Sequence, residues 1–564
     1  MGRFRPGHGG VAQGNIQMSE KFSIAKPGVR SFITVCLFFL IAGCVFRLWH
    51  ITQSDFVFYD EGFYLNHNRA LGEMIAAHQP MDMANLKRAF EIYARTCLAS
   101  GKSLWFFLAD ARIFFGRVHE WFWARVMAAL FGILTIFLTY GFAARFFRCR
   151  WTAWLSAVVL SVLPSHVFYS RLGMQEALST FLVLLGFYFY LFPRRFSFRT
   201  FAAGFIFGLA FFSNYRLIML PALILSAEYW MSRTERRGFD WRKWIWVNIT
   251  FAVMAFGVGG VLFGGINTFI IFAWVFHQQN LASAQFHWLN VLSYPYYVIR
   301  LEHWTFAVLL FSGVVSLIRH RHRREWLPLV LAMIQMLIFS LPEEKGARYL
   351  CVMYPFMAMS VAYTAVRVFR YLRNPRHRVV WGAVIVGMLM MLTRVSSQMA
   401  MIGSDYRTCA GFLTARNPGV KFLSTQKYVQ DLFVSDRDQV RDVPRRFSRL
   451  VEEFSNGYEY LVLGPQAYMS LTPGARRFAL KLDGPYEMLL QRIEPLKTYD
   501  HFDRVMLERF VLEHSSNLLD STEFLRHAQA KGFGRLRVYD LKFCVPLMME
   551  AAARYQQRTG GAND

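Results

Sequence analysis

Directly after the first apolar run stands Phe58-Tyr59-Asp60-Glu61-Gly62-Phe63-Tyr64, two adjacent carboxylates set among aromatic rings. A carboxylate partly stripped of water at a helix end is a stronger base than one in bulk solvent, provided a cation or hydroxyl steadies it. The same acids would also suit the first turn of an interfacial helix starting near Gly62, where the helix dipole favours negative charge. Both readings stand on local residues. Three further places combine charge with an apolar flank. In Gly101-Lys102-Ser103-Leu104-Trp105 a single lysine heads a strongly apolar stretch, where it either snorkels to lipid headgroups or holds the phosphate of a lipid carrier. Ser170-Arg171-Leu172-Gly173-Met174-Gln175-Glu176 offers an arginine and a carboxylate to a ligand or to an ion pair locking two helices. Glu343-Glu344-Lys345-Gly346-Ala347-Arg348-Tyr349 repeats the combination before a late apolar run. Ionisable groups beside membrane-depth helices are costly, so their default reading is functional, with a partner.

The elements that carry these residues are spans. Over 564 residues, 55% are hydrophobic and 17% aromatic, with a mean hydropathy of +0.26, which points to the bilayer as solvent. Helices long enough for a hydrocarbon core of about 30 Å are predicted near 31–50, 122–143, 152–169, 176–192, 200–213, 216–231, 245–265, 304–318, 326–341, 349–366 and 379–394, about eleven spans in all. The formal charge of +26 would suit nucleic acid if it lay on one soluble face. Instead the cations sit in short clusters between apolar runs, so membrane lipids, and no nucleic acid, are the expected partners. The N-terminal arm, Arg145/Arg148/Arg150, Arg194/Arg195/Arg199, Arg233 to Lys243, Arg319 to Arg324 and Arg367 to Arg378 fall on one side. The short connections opposite carry only Arg171, Arg216, Arg300, Lys345 and Arg348. Positive-inside bias therefore puts the N-terminus in the cytoplasm, and residues 51–121, residues 266–303 and everything after about 395 outside.

The predicted organisation is a basic arm at 1–30, a transmembrane domain at 31–395 and a small extracytoplasmic α/β domain at 396–555, with a disordered tail at 556–564. The α/β reading rests on β-like runs at 420–423, 460–463 and 536–541 alternating with helical stretches at 405–416 and 447–454. No G-x-G-x-x-G follows a strand, so no nucleotide is assigned to it. Ile41-Ala42-Gly43-Cys44 mimics a lipoprotein cleavage site but reads as part of an uncleaved first span. The seven cysteines show no C-x-x-C and no metal-ligand spacing, and Cys409 and Cys544 are open to pairing in the soluble part.

The acidic D-E-G-x-x motif after span one, the G-K-x-L turn before span two, the arginine followed by Q-E-A at span four and the R-Y-L before a late span occur in one order. In that order they resemble the GT-C superfamily of glycosyltransferases. The nearest branch is the bacterial set similar to dolichyl-phosphate-mannose protein mannosyltransferases and the lipid A aminoarabinose transferase. The resemblance covers roughly residues 30–395, while the C-terminal domain matches in position and texture. It implies a bacterial inner-membrane enzyme moving a sugar from a polyprenyl-phosphate-linked donor to an extracytoplasmic lipid, glycan or protein acceptor, with inversion. Asp60 would be the general base, and Glu61 would position the acceptor or a metal. Lys102 and Arg348 would bind the carrier phosphate, with Arg171, Glu176, Tyr64 and Lys345 completing the substrate site. Met174-Gln175 and Ser103 stand where relatives more often have proline. No cofactor is certain, and a divalent ion on Asp60, Glu61 and Glu176 stays open.

Two other classes compete. A transporter or flippase would show mirrored, glycine-broken spans, but the glycine-rich stretch at 257–265 has no counterpart. A non-catalytic scaffold would leave the charged outer turns without a purpose.

Overall fold

A computed structural model describes residues 27–560 apart from 53–57, 78–81, 113–118, 194, 282–290, 321–322 and 342–345, and between 465 and 534 only isolated residues and the stretch 492–500. The basic arm before residue 27, Lys345 and residues 561–564 lie outside the described residues.

The apolar segments named above fall on helix, with breaks inside two of them: 152–169 is split between α6 and α7 and 245–265 between α11 and α12. The helices are α1 (Pro27–Leu48), α2 (Tyr59–Ala77), α3 (Met83–Thr96), α4 (Ser103–Asp110), α5 (Glu120–Phe147), α6 (Arg150–Ser161), α7 (Pro164–Tyr169), α8 (Glu176–Leu191) and α9 (Phe198–Ser213). There follow α10 (Leu220–Thr234), α11 (Trp241–Phe256), α12 (Val258–Phe263), α13 (Gly265–Leu281), α14 (Ser293–Leu301), α15 (Trp304–Arg319), α16 (Leu327–Ser340), α17 (Tyr354–Tyr371) and α18 (Pro375–Ala400). Among the described residues, Ser31–Leu48, Glu120–Phe147, Trp241–Phe263, Ala347–Tyr371 and Pro375–Ala400 are long and apolar enough to cross a bilayer. The chain is a polytopic integral membrane protein. Its shorter helices start where proline fits the first turn, as at Pro164, Pro221, Pro328 and Pro355, because an amide lost there has no helical partner to lose.

The bundle packs α5, α6, α8, α9 and α17 at its centre, with α11 on α9 and with α1 and α18 flanking α6 and α7. Its interior is aromatic and closely fitted; Phe142, Phe187, Phe207 and Phe356 meet edge to face. The stretch 266–303, expected as an outer loop, instead contains α13 and α14. Its apolar run continues the preceding span across a turn at Gly264, whose φ of 66° is a left-handed value that glycine adopts without strain.

Beyond α18 lies the α/β unit. It comprises α19 (Tyr406–Arg416), β1 (Lys421–Ser424), α20 (Lys427–Gln430), β2 (Val440–Asp442), α21 (Phe447–Ser455), β3 (Tyr458–Leu463), β4 (Lys497–Tyr499), β5 (Leu536–Asp540) and α22 (Leu541–Gly560). The sheet order is β2-β1-β3-β5-β4, with β1 parallel to β2 and β3, and β5 antiparallel to β3 and β4. The expected strands match, while helix runs on to Gly560 where disorder was expected from 556. Cys409 and Cys544 are both free and buried, in separate apolar clusters, so the pairing considered for them does not occur.

Candidate active site

Asp60 and Glu61 both lie in the first turn of α2, but neighbours on a helix point about 100° apart, and here they separate completely. Asp60 turns toward α17. Its Oδ2 accepts a hydrogen bond from Arg348 Nη1 at 2.5 Å and lies 3.7 Å from Lys102 Nζ. Glu61 turns into the bundle and is fully buried. Its oxygens accept from Arg125 Nε at 2.8 Å, Arg125 Nη2 at 3.1 Å and the Gly173 amide at 2.6 Å. Glu61 therefore ties α2 to α5 and to the turn before α8, with Arg125 and the Gly173 amide as its partners.

Three elements bring the cluster together. Lys102 follows Gly101, whose φ of 68° is left-handed and whose missing side chain leaves room for the Tyr215 ring, 2.9 Å from where a Cβ would stand. The Tyr215 amide donates to the Gly101 carbonyl at 3.1 Å, locking that turn to the end of α9. Lys102 Nζ donates to the hydroxyl of Tyr64, one turn beyond Asp60 on α2. Arg348 comes from the 3₁₀ turn Ala347–Met353 that leads into α17, and packs its guanidinium 5.7 Å from the Phe58 ring and 5.9 Å from that of Tyr349. The side chains of Asp60, Lys102 and Arg348 keep 26%, 12% and 13% of their surface, so the cluster is accessible though largely desolvated. Burial pushes the Lys102 ammonium down to about 8, Asp60 opposing and Arg348 adding to the fall.

Glu176, the first residue of α8, is buried beneath this cluster and feels the charges of Arg348 and Lys102. It lines one small cavity with Arg216, Arg348 and Tyr349, and accepts from Gln175 Nε2 at 3.0 Å. Arg216 carries no role in the motif reading, yet it donates to the Tyr349 hydroxyl at 2.7 Å and stacks 4.1 Å from that ring. Its position between two apolar runs was the available signal. Arg171 stands apart. It donates to the carbonyls of Phe46 and, at 2.8 Å, Trp49, and to Ala400 O at 2.9 Å, so it caps the C-terminal ends of α1 and α18. The ion pair with Glu176 considered for it is not present among the described residues.

The α/β unit packs on α2. Tyr428 meets Tyr59 and Phe63 edge to face at 5.4 Å and 5.2 Å, its carbonyl accepts from Asn66 Nδ2 at 2.6 Å, and a Cβ on Gly62 would meet that carbonyl at 2.8 Å.

The family described as dolichyl-phosphate-mannose-protein mannosyltransferase matches residues 103–260. No curated protein sequence matches the chain. Among solved structures, ArnT from Cupriavidus metallidurans, in the apo state and bound to undecaprenyl phosphate, is similar at 16% identity over 80% of this chain and 95% of that one, with a TM-score of 0.49. The archaeal oligosaccharyltransferase AglB from Archaeoglobus fulgidus, in complex with an inhibitory peptide and a dolichol-phosphate, is similar at 10% identity over 81% of this chain and 72% of that one, with a TM-score of 0.51.

Proposed function

We propose that this chain is a membrane glycosyltransferase of the GT-C kind, and that its reaction is sugar transfer from a polyprenyl-phosphate donor to an acceptor outside the cytosol, with inversion. The observation that carries this reading is the meeting of Asp60 with Arg348 at 2.5 Å and Lys102 at 3.7 Å, on elements far apart in sequence. A carrier phosphate entering among these cations takes over the pairing that Asp60 holds at rest. Asp60, released from its partners, is then the better base for the acceptor's hydroxyl or amine proton. Lys102 and Arg348 stay with the departing phosphate, where negative charge grows as the glycosidic bond breaks. Acceptor and leaving group on opposite faces of the anomeric carbon give in-line displacement, and one carboxylate base suffices. Tyr64 positions Lys102, while Glu176 and Arg216 set the charge around Arg348.

The test uses purified full-length protein, polyprenyl-phosphate sugars radiolabelled in the sugar, and a fractionated envelope preparation as acceptor. The expected result is polyprenyl phosphate released in step with transferred sugar, and a product whose anomeric configuration is opposite to the donor's. A product of retained configuration would overturn the single-base mechanism, and donor left intact in every fraction would overturn the reaction.

A further inference from the structure

Three buried side chains from separate elements meet inside the fold: His67 on α2, Cys97 at the end of α3 and Asp110 at the end of α4. They keep 8%, 0% and 7% of their surface. Their donor atoms form a triangle, with Cys97 Sγ to His67 Nε2 at 3.3 Å, His67 Nε2 to Asp110 Oδ2 at 3.4 Å and Cys97 Sγ to Asp110 Oδ2 at 3.8 Å. Zinc bonds of about 2.0–2.1 Å to nitrogen, 2.0–2.2 Å to oxygen and 2.3 Å to sulfur, set at the tetrahedral angle, give ligand-to-ligand edges of about 3.3–3.6 Å. The triangle comes within about 0.3 Å of one face of such a tetrahedron on every edge. Hydrogen bonding alone accounts for less: one thiol proton and one imidazole proton serve two edges of a triangle, not three.

We propose that His67, Cys97 and Asp110 bind one divalent ion of the zinc class, as a structural clip distinct from the reacting cluster. A thiolate and an imidazole favour zinc-class ions over magnesium or calcium, which prefer all-oxygen ligands. A supporting layer is in place: Asn68 Nδ2 donates to the other carboxylate oxygen of Asp110 at 2.6 Å, and Arg112 donates to Asn68 Oδ1 and, at 3.0 Å, to its carbonyl. The position explains the use. His67 lies two turns beyond Asp60 on the same helix, while Cys97 and Asp110 bracket Lys102 in sequence. An ion here joins the helix that carries the base to the turn and helix that carry the phosphate-binding lysine, fixing their spacing from behind.

The test uses full-length protein freed of its affinity tag, stripped with a chelator and titrated with Co²⁺, then with Zn²⁺. The wild type and a control Cys544→Ser take up about one ion per chain and show a near-ultraviolet thiolate-to-cobalt band, and Zn²⁺ displaces it and raises Tm. Cys97→Ser loses the band, and His67→Gln weakens uptake at least tenfold. A wild type that shows no thiolate-to-cobalt band, or whose Tm does not respond to Zn²⁺, overturns the proposal and leaves a hydrogen-bonded packing cluster. The wild-type arm decides this even if a variant fails to fold, and no sugar transfer enters the readout.

Discussion

Two places in this molecule surround one carboxylate with two cations and a tyrosine. At one end of the bundle Asp60 meets Arg348, Lys102 and, through Lys102, Tyr64. Elsewhere in the bundle Glu228 on α10 meets Arg237 at 2.7 Å, Lys243 at 3.5 Å and the Tyr190 hydroxyl at 3.1 Å. The charge arithmetic is the same, but the surroundings are not. Glu228 is fully buried and Lys243 keeps 1% of its side-chain surface, with Arg237 at the edge keeping 24%, whereas the Asp60 carboxylate itself keeps 26%. The set with the buried carboxylate has each oxygen opposite its own cation and acts as a strut between helices. The accessible set points both cations at one oxygen of Asp60, so a new anion can compete for them. Burial and geometry, not composition, separate a structural ion cluster from one able to do chemistry.

That contrast can be broken from either side. The largest effect is expected from Arg348→Met, which removes the charge facing the leaving phosphate and lowers the transfer rate by about 10²–10³-fold. Urea melts of the same variant check that the fold survives. Glu228→Gln should do the reverse. Leaving the buried Lys243 without its carboxylate, while Arg237 keeps Glu235, costs about 3–5 kcal/mol of stability, read from denaturation midpoints, and the activity of the folded fraction is retained. Lys102→Ala should raise the donor KM about tenfold with a smaller change in kcat, as loss of one charge-assisted contact implies. The smallest effect is on pH. Because burial lowers Lys102 to about 8, its ammonium is lost as pH rises through that value, so donor KM should climb above about pH 8. In Lys102→Arg the guanidinium stays charged, and that limb should disappear from the KM profile.

The spans were legible because apolar runs of membrane length have few other solutions, and the small sheet was legible from short β-rich runs. The α13 helix was not, since its apolar run follows glycines 257, 259, 260, 264 and 265 and reads as the frayed end of the preceding span. At the site, Asp60, Lys102 and Arg348 stood out as charge at helix ends. The residues alone did not tell Asp60 from Glu61, which only the family resemblance separated, because the partner that claims Glu61 is Arg125, hidden inside an apolar run. Arg171 was over-read for a related reason: its partners are backbone carbonyls, which leave no trace in residue types. The His67, Cys97 and Asp110 trio escaped notice because its ligands come from three elements with no motif spacing between them.

The adjacent acids give the most direct test. Asp60→Asn and Glu61→Gln, purified side by side, are assayed for transfer from a confirmed polyprenyl-phosphate sugar and for thermal stability. The expected result is a loss of at least about a hundredfold in transfer by folded Asp60→Asn with Tm nearly unchanged, and a lowered Tm in Glu61→Gln. Undiminished turnover in Asp60→Asn would contradict the assignment of the base and the mechanism built on it.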